Sequence, residues 1–121
     1  MNLKIIFCFL LILVISLVST GCAKNTGPGE YDSFAKCLSE KGAKMYGTDW
    51  CSHCKAQKKL FGNSFQYVNY VDCDWNKDEC LKVGIQGYPT WIIDNKMYTG
   101  EQSLERLASL TGCGLAEAKT E

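Results

Sequence analysis

The sequence lacks an excess of charge of either sign, because 13 Lys and Arg side chains balance 13 Asp and Glu side chains. A net charge of zero gives no electrostatic basis for binding nucleic acid. Internal repeats are absent too, and 121 residues leave room for only one domain. Cysteine, in contrast, is abundant. Eight cysteines in a chain this short indicate an oxidising compartment or metal sites.

The first 21 residues predict an export signal. Lys4 is followed by an uncharged apolar run over residues 5–18 and then by Ser19-Thr20-Gly21-Cys22. This order resembles a bacterial lipoprotein signal, and the resemblance implies that Cys22 is lipidated and becomes the mature N-terminus. An uncleaved membrane anchor is the alternative, because residues 5–23 approach the roughly 20 residues that span a bilayer. Both interpretations predict an extracytoplasmic domain tethered to the cell membrane.

The rest of the chain divides into a tether, one folded domain and a tail. Residues 22–30 predict a flexible tether, residues 31–114 a domain, and residues 115–121 a polar tail. Hydrophobic periodicity predicts the order of elements within the domain. These elements are a helix capped by Asp32 or Ser33 and ending just before Gly42, a strand Lys44–Gly47, a helix from Cys51 to Gly62-Asn63, a strand Tyr67–Asp72, a helix Asn76–Val83, a hairpin of Thr90–Ile93 and Lys96–Tyr98, and a helix Gln102–Leu110. An α/β fold with helices on both faces of a central sheet accommodates this order.

Two cysteines at the start of the second predicted helix are the central motif. A C-x-x-C at a helix start places the first sulfur beside unpaired backbone N–H groups and the positive end of the helix dipole, which favours the thiolate. Cys51 is therefore the predicted nucleophile. Cys54 follows about one helical turn later, where its sulfur can form a disulfide with Cys51 or attack a mixed disulfide formed there. This spacing predicts reversible thiol-disulfide exchange.

A second motif, Gly87-Tyr88-Pro89-Thr90, opens the predicted hairpin. Together with Trp50-Cys51-x-x-Cys54 it resembles the thioredoxin superfamily over residues 31–114. The resemblance implies a thioredoxin-like fold, with a central mixed sheet of about four strands and helices on both faces. It also implies that Pro89 is cis and lies against the C-x-x-C, that Tyr88 pairs with a bound substrate chain, and that Trp50 forms a wall of the site. No metal is implied, and the Cys51/Cys54 disulfide replaces a separate cofactor.

Residues 34–47, 57–62 and 87–91 resemble more closely the thioredoxin-like domain that accompanies vitamin K epoxide reductase homologues. In that group a membrane enzyme passes electrons to quinone, and the thioredoxin-like domain carries disulfides to secreted proteins. The resemblance implies thiol-containing secreted proteins as substrates and a separate, quinone-linked vitamin K epoxide reductase-like membrane enzyme as partner. The relatives usually have Pro after the first cysteine, where this chain has Ser52.

His53 indicates the direction of exchange. Beside Cys54 in the first helical turn, it is placed to give a hydrogen bond or partial positive charge to the Cys51 thiolate, as in the C-P-H-C of periplasmic disulfide oxidases that the site resembles. A stabilised reduced form makes the disulfide a stronger oxidant. A reducing thioredoxin usually has a buried Asp six residues before its first cysteine, and Met45 stands there. We therefore predict disulfide donation, with reduction or isomerisation as the alternative.

Four further cysteines belong to the predicted domain: Cys37, Cys73, Cys80 and Cys113. Cys73 and Cys80 are close enough in sequence for a local disulfide, and two buried thiols are the alternative. Pairing of Cys37 with Cys113 would join the two ends of the domain, but core thiols fit the pattern nearly as well. A redox relay toward the C-x-x-C is a third interpretation, and the sequence does not select among the connectivities.

A metal-binding module is the alternative function from a different class. Cys51, His53 and Cys54 are soft ligands that suit Cu(I) or Zn(II). A proline lying against them, however, would crowd the open metal position, which favours thiol exchange. Three lysines of the same helix, Lys55, Lys58 and Lys59, are predicted to form a solvated face. The sequence contains no feature that requires more than a monomer.

Overall fold

The computed structural model describes residues 3–4 and 27–115. The predicted lipoprotein signal or anchor, the lipidation site at Cys22 and most of the tether and tail lie outside these residues. Within the described ranges, no helix combines the length and the apolar character that crossing a bilayer requires.

Four short strands form one mixed sheet in the order β2-β1-β3-β4. β1 and β2 are parallel, whereas β3 is antiparallel to both β1 and β4. The strands are β1 Lys44–Gly47, β2 Tyr70–Asp72, β3 Thr90–Ile93 and β4 Lys96–Thr99. The predicted mixed sheet of about four strands is confirmed.

Helices cover both faces of this sheet, as predicted. They are α1 Asp32–Glu40, α2 Ser52–Phe61, α3 Lys77–Val83 and α4 Leu104–Thr111. Alternate strand residues point to opposite faces. Met45, Trp91 and Ile93 pack in one hydrophobic cluster with residues of α1, α2 and α4. Tyr46, Val71 and Ile92 pack on the other face with Cys80 of α3.

The segment between α2 and β2 differs from the prediction. Aromatic residues predicted a strand from Tyr67, but residues 62–67 form a 3-10 helix and β2 begins only at Tyr70. Phe65 packs its ring against Phe61 of α2 and Tyr70 of β2, at centroid distances of 6.0 and 5.6 Å. Tertiary packing of this aromatic side chain thus prevails over the strand propensity of the local sequence.

The hairpin between β3 and β4 follows directly from its turn residues. Asp94 and Asn95 have φ angles of 49° and 59°. Two successive residues with positive φ match the right-handed twist of the flanking strands, and Asp and Asn adopt this region more readily than most residues. The hairpin therefore forms where the sequence predicts it, with β4 one residue longer than expected.

Within the described residues, two disulfides connect the four cysteines that lie outside the C-x-x-C. Cys37 of α1 is bonded to Cys113, which follows α4, and Cys73 is bonded to Cys80 across the loop into α3. The sequence left this connectivity open. The first bridge joins the beginning and the end of the described domain, and the second closes a short local loop.

Candidate active site

The two sequence motifs meet at the end of the sheet where β1 ends and β3 begins. β1 ends at Gly47 and leads through residues 48–50 to the C-x-x-C, and Tyr46 of β1 pairs with Thr90 of β3. Pro89 comes directly before Thr90, so it lies at the same end of the sheet. The Tyr88–Pro89 peptide bond is cis, the geometry that the resemblance implies. The rings of Trp50 and Tyr88 pack edge to face at a centroid distance of 6.1 Å.

Cys51 is the residue that caps α2. Its Sγ accepts a hydrogen bond from the backbone N–H of Cys54, at 3.2 Å. Negative charge on this sulfur is favoured by that donor and by the positive end of the helix dipole. The side chain is 8% exposed, and both cysteines of the motif are free thiols in this structure. A sulfur at a helix N-terminus that keeps a small exposed fraction is consistent with the predicted role of nucleophile.

Cys54 occupies a different environment one turn further along α2. It is completely buried. Burial, followed by its hydrogen bond with Cys51, raises the pKa of the Cys54 thiol to about 12, while a backbone hydrogen bond from Thr48 and the charge of Lys58 act in the opposite direction. Gly47 makes room for this sulfur, since a Cβ there would lie 2.8 Å from the Cys54 Sγ. At neutral pH Cys54 is therefore held as the thiol.

Lys58 turns toward the site, although the sequence predicted a solvated side chain. Its Nζ lies 3.1 Å from the Asp49 carboxylate and 4.0 Å from the centre of the Tyr70 ring. Burial and the nearby carboxylates, Asp72 first, raise the pKa of Tyr70, so its phenol stays protonated. Within the described residues, the Tyr70 hydroxyl and Thr48 Oγ1 are buried without a hydrogen-bond partner. The positive charge of Lys58 is thus near enough to lower the pKa of the buried Cys54 thiol.

His53 is bonded to a residue that the sequence did not indicate. Its Nδ1 lies 2.6 Å from the Glu101 carboxylate. The hydrogen bond that reaches the Cys51 sulfur comes from the Cys54 amide, and His53 makes none to it within the part of the chain described. Glu101 is 48 positions away along the chain, and no local pattern connects it with the C-x-x-C.

Gln57 was also missed, and it joins α2 to the segment after β4. Its Oε1 accepts hydrogen bonds from the Trp91 indole N–H at 3.2 Å and the Gln102 backbone N–H at 2.7 Å, and its Nε2 donates to the Gln102 carbonyl at 2.9 Å. Gln57 is completely buried. A polar residue between Cys54 and Phe61 on the apolar side of a helix was the available signal, because such a group requires buried partners.

The predicted substrate-binding residues Trp50, Tyr88 and Pro89 differ in exposure. Trp50 is 68% exposed, Tyr88 is half-buried and Pro89 is buried. A groove of about 220 Å³ runs from Tyr88 to the Cys73–Cys80 disulfide and Leu81. Across residues 3–4 and 27–115, no group of three or more His, Cys, Asp or Glu side chains is arranged to hold a metal ion.

The chain is similar in sequence to several known proteins. No protein-family model matches the chain. A thiol-disulfide oxidoreductase of Arabidopsis thaliana is 44% identical over 95 residues, covering 71% of this chain and 25% of the relative. Two protein disulfide isomerase-like proteins of Oryza sativa subsp. japonica are 38% and 32% identical, covering 57% and 75% of this chain and 23% and 29% of their own lengths.

This chain has a thioredoxin-like fold, and its sequence is similar to part of a thiol-disulfide oxidoreductase. The domain spans about a quarter of the length of these relatives. A solved structure described as that of a malarial protein aligns with 56% of the chain at 22% identity and a TM-score of 0.45. So weak a likeness adds nothing to the fold assignment, which rests on the sheet order, the helices on both faces and the cis proline beside the C-x-x-C.

Proposed function

We propose that this oxidoreductase domain donates disulfides to thiol-containing secreted proteins through the Cys51/Cys54 couple. A substrate thiolate attacks the Cys51 Sγ of the oxidised pair, the bond between the two cysteines breaks, and Cys54 leaves and takes up a proton. A second substrate thiolate then attacks the substrate sulfur of the mixed disulfide, and Cys51 leaves as the thiolate. The substrate loses two electrons and two protons, and the couple gains two electrons.

The complete burial of Cys54 is the observation that carries this proposal. A mixed disulfide on Cys51 has two fates: Cys54 attacks it and releases the substrate thiol, or the substrate's second thiol displaces Cys51. Only a thiolate attacks efficiently, and burial raises the pKa of Cys54. Burial therefore slows the first fate and leaves the mixed disulfide time to react with the second thiol of the substrate. Reduction of a substrate requires the first fate, whereas donation requires the second.

The site also lacks the group that would reverse this preference. Met45, fully buried in the core, occupies the position where a reducing thioredoxin usually has its buried carboxylate. Among the described residues, Lys58 is the charged group that lowers the pKa of Cys54, and its charge is shared with Asp49. No carboxylate of the described residues contributes to the pKa of Cys54, which supports donation over reduction.

Location and reoxidation form the second part of the proposal. The N-terminal segment, either as a lipoprotein signal ending at Cys22 or as an anchor, tethers the domain to the outer side of the cell membrane. Two disulfides outside the active site suit an oxidising compartment. A vitamin K epoxide reductase-like membrane enzyme accepts the electrons from the reduced couple and passes them to quinone, as the resemblance of residues 34–47 and 87–91 supports.

Disulfide isomerisation is the second candidate, because two of the relatives are protein disulfide isomerase-like proteins. An isomerase also benefits from a long-lived mixed disulfide. It differs from an oxidase in the stability of its reduced form, since disulfide isomerases have potentials of about −180 mV and strong oxidants about −120 mV.

The reduction potential of the Cys51/Cys54 couple tests the proposal. The protein is equilibrated in glutathione buffers, and the state of all cysteines is read by mass after acid quenching. We expect a potential closer to about −120 mV than to about −180 mV, together with stoichiometric oxidation of a reduced secreted protein. A value near about −270 mV would contradict donation and identify a reductant. Cys51→Ser is the control, because it removes the couple and leaves both other disulfides.

A further inference from the structure

The segment Gly100–Gln102 is fixed to the active site at both ends. The Gly100 N–H donates to the Pro89 carbonyl at 2.7 Å. On the other side, the Gln102 N–H donates to Gln57 Oε1 at 2.7 Å and its carbonyl accepts from Gln57 Nε2 at 2.9 Å. One anchor is the cis proline and the other is the buried face of α2. The residue between the anchors, Glu101, is therefore held in a defined position relative to the C-x-x-C.

Glu101 uses this position to bind His53. Its Oε1 lies 2.6 Å from the His53 Nδ1, a short distance typical of a charge-assisted hydrogen bond. The two side chains are 38% and 73% exposed, so solvent screens but does not abolish the interaction. An imidazolium near a helix N-terminus stabilises a thiolate there, whereas a carboxylate paired with it offsets that charge.

We infer that Glu101 is a positioning residue that limits the oxidising strength of the couple by holding His53 and neutralising its charge. The inference deepens the proposed function and rests on it for its biological meaning. With Glu101 present, the Cys51 sulfur accepts a hydrogen bond from the Cys54 amide at the helix end, and the imidazole of His53 is engaged by the carboxylate. Removing the carboxylate frees the imidazole, stabilises the reduced form and makes the disulfide a stronger oxidant.

The test is a double-mutant cycle on the full chain, with Glu101→Gln, His53→Gln and both changes combined. Gln keeps the shape of the side chain and removes its charge. The equilibrium constant with glutathione is measured near pH 6, where an imidazole carries substantial positive charge. We expect Glu101→Gln alone to shift this constant about threefold toward the reduced couple, and by less than about 1.5-fold when His53 is already Gln.

Glu40→Gln is the matched control. Glu40 is an exposed carboxylate at the end of α1, before the start of β1, at the opposite end of the sheet from the C-x-x-C. Urea unfolding and the mass of the two other disulfides establish that each variant is folded. The inference is overturned when Glu101→Gln behaves as Glu40→Gln does, or when it shifts the constant equally with and without His53.

The outcomes separate this inference from the proposed function. Failure of the wild-type domain to oxidise a reduced protein overturns donation, yet the ratio of equilibrium constants between wild type and Glu101→Gln is still measured. Conversely, if the domain is a strong oxidant and its equilibrium constant with glutathione is unchanged in Glu101→Gln, donation is supported and the positioning role is overturned.

Discussion

Cys51 caps α2 and Cys54 lies in its first turn, but the two sulfurs have different surroundings. Cys51 caps the helix and is 8% exposed, whereas Cys54 is completely buried next to Gly47. The C-x-x-C spacing predicts the pair and their order of reaction. It does not predict that the second sulfur is completely buried, because that depends on the absence of a side chain at Gly47, which lies on a different element.

Lys58→Gln tests the electrostatic support of Cys54. The charge of Lys58 lowers the pKa of this thiol, so its removal raises that pKa further and reduces the thiolate fraction. We expect the attack of Cys54 on a glutathione mixed disulfide at Cys51 to slow about threefold at neutral pH. In both proteins the rate should rise with pH above neutrality, because burial raises the pKa of Cys54 and the thiolate fraction grows with pH.

Lys59→Gln is the control for this prediction. Lys59 is the next residue of α2 and is exposed, so it has the same charge without the contact to Tyr70. Single-turnover release of glutathione from the mixed disulfide gives the rate. Equal rates for the two variants would show that Lys58 acts only as a surface charge.

At the scale of elements, the buried Gln57 connects α2, β3 and the segment before α4. It provides the acceptor for the Trp91 indole and for the Gln102 amide. Gln57→Leu keeps much of the side-chain volume but leaves both donors buried without a partner. Each such donor costs about 1–3 kcal/mol, so we expect the free energy of unfolding to fall by about 2–6 kcal/mol.

Urea unfolding measures this loss, with Gln66→Leu as the control. Gln66 is exposed and donates only to the Asn63 carbonyl. Its replacement should change the free energy of unfolding by less than about 0.5 kcal/mol. A loss for Gln57→Leu no larger than this would mean that the rest of the fold already holds the segment after β4.

The elements also show how far sequence reasoning extends. The hairpin turn, the helix that starts at the C-x-x-C and the strand Lys44–Gly47 have local signals, and the structure contains each where it was predicted. The 3-10 helix of residues 62–67 has no such local signal, because it depends on the packing of Phe65 against other elements. Glu101 is the clearest failure, since only the folded chain brings it to His53.

At the scale of the whole molecule, the two disulfides close loops of very different length. Cys37 and Cys113 are separated by 76 positions, and Cys73 and Cys80 by 7. In the chain-entropy account, the longer loop stabilises the domain by about 4 kcal/mol and the shorter by about 2 kcal/mol. Replacing both cysteines of the long bridge by Ser should therefore lower the free energy of unfolding about twice as much.

Urea denaturation of the two double-Ser variants, with Cys51 and Cys54 kept reduced, checks this ratio. Equal losses would indicate that the bridges act through local packing in the native state and not through the length of the loop. A larger loss for the short bridge would assign the greater contribution to the cluster around Cys80 and Ile85.

The place where the chain joins the domain has a consequence for how the whole protein works. The Tyr31 N–H donates to Ser64 Oγ, and Gly27 accepts from Asn63, so the incoming chain packs just beyond the C-terminal end of α2. Cys51 lies at the other end of that helix, about 15 Å away along its axis. The N-terminal chain and the C-x-x-C therefore meet α2 at opposite ends. In the tethered protein that we propose, this arrangement directs the C-x-x-C away from the point of attachment, where a large substrate protein has access to it.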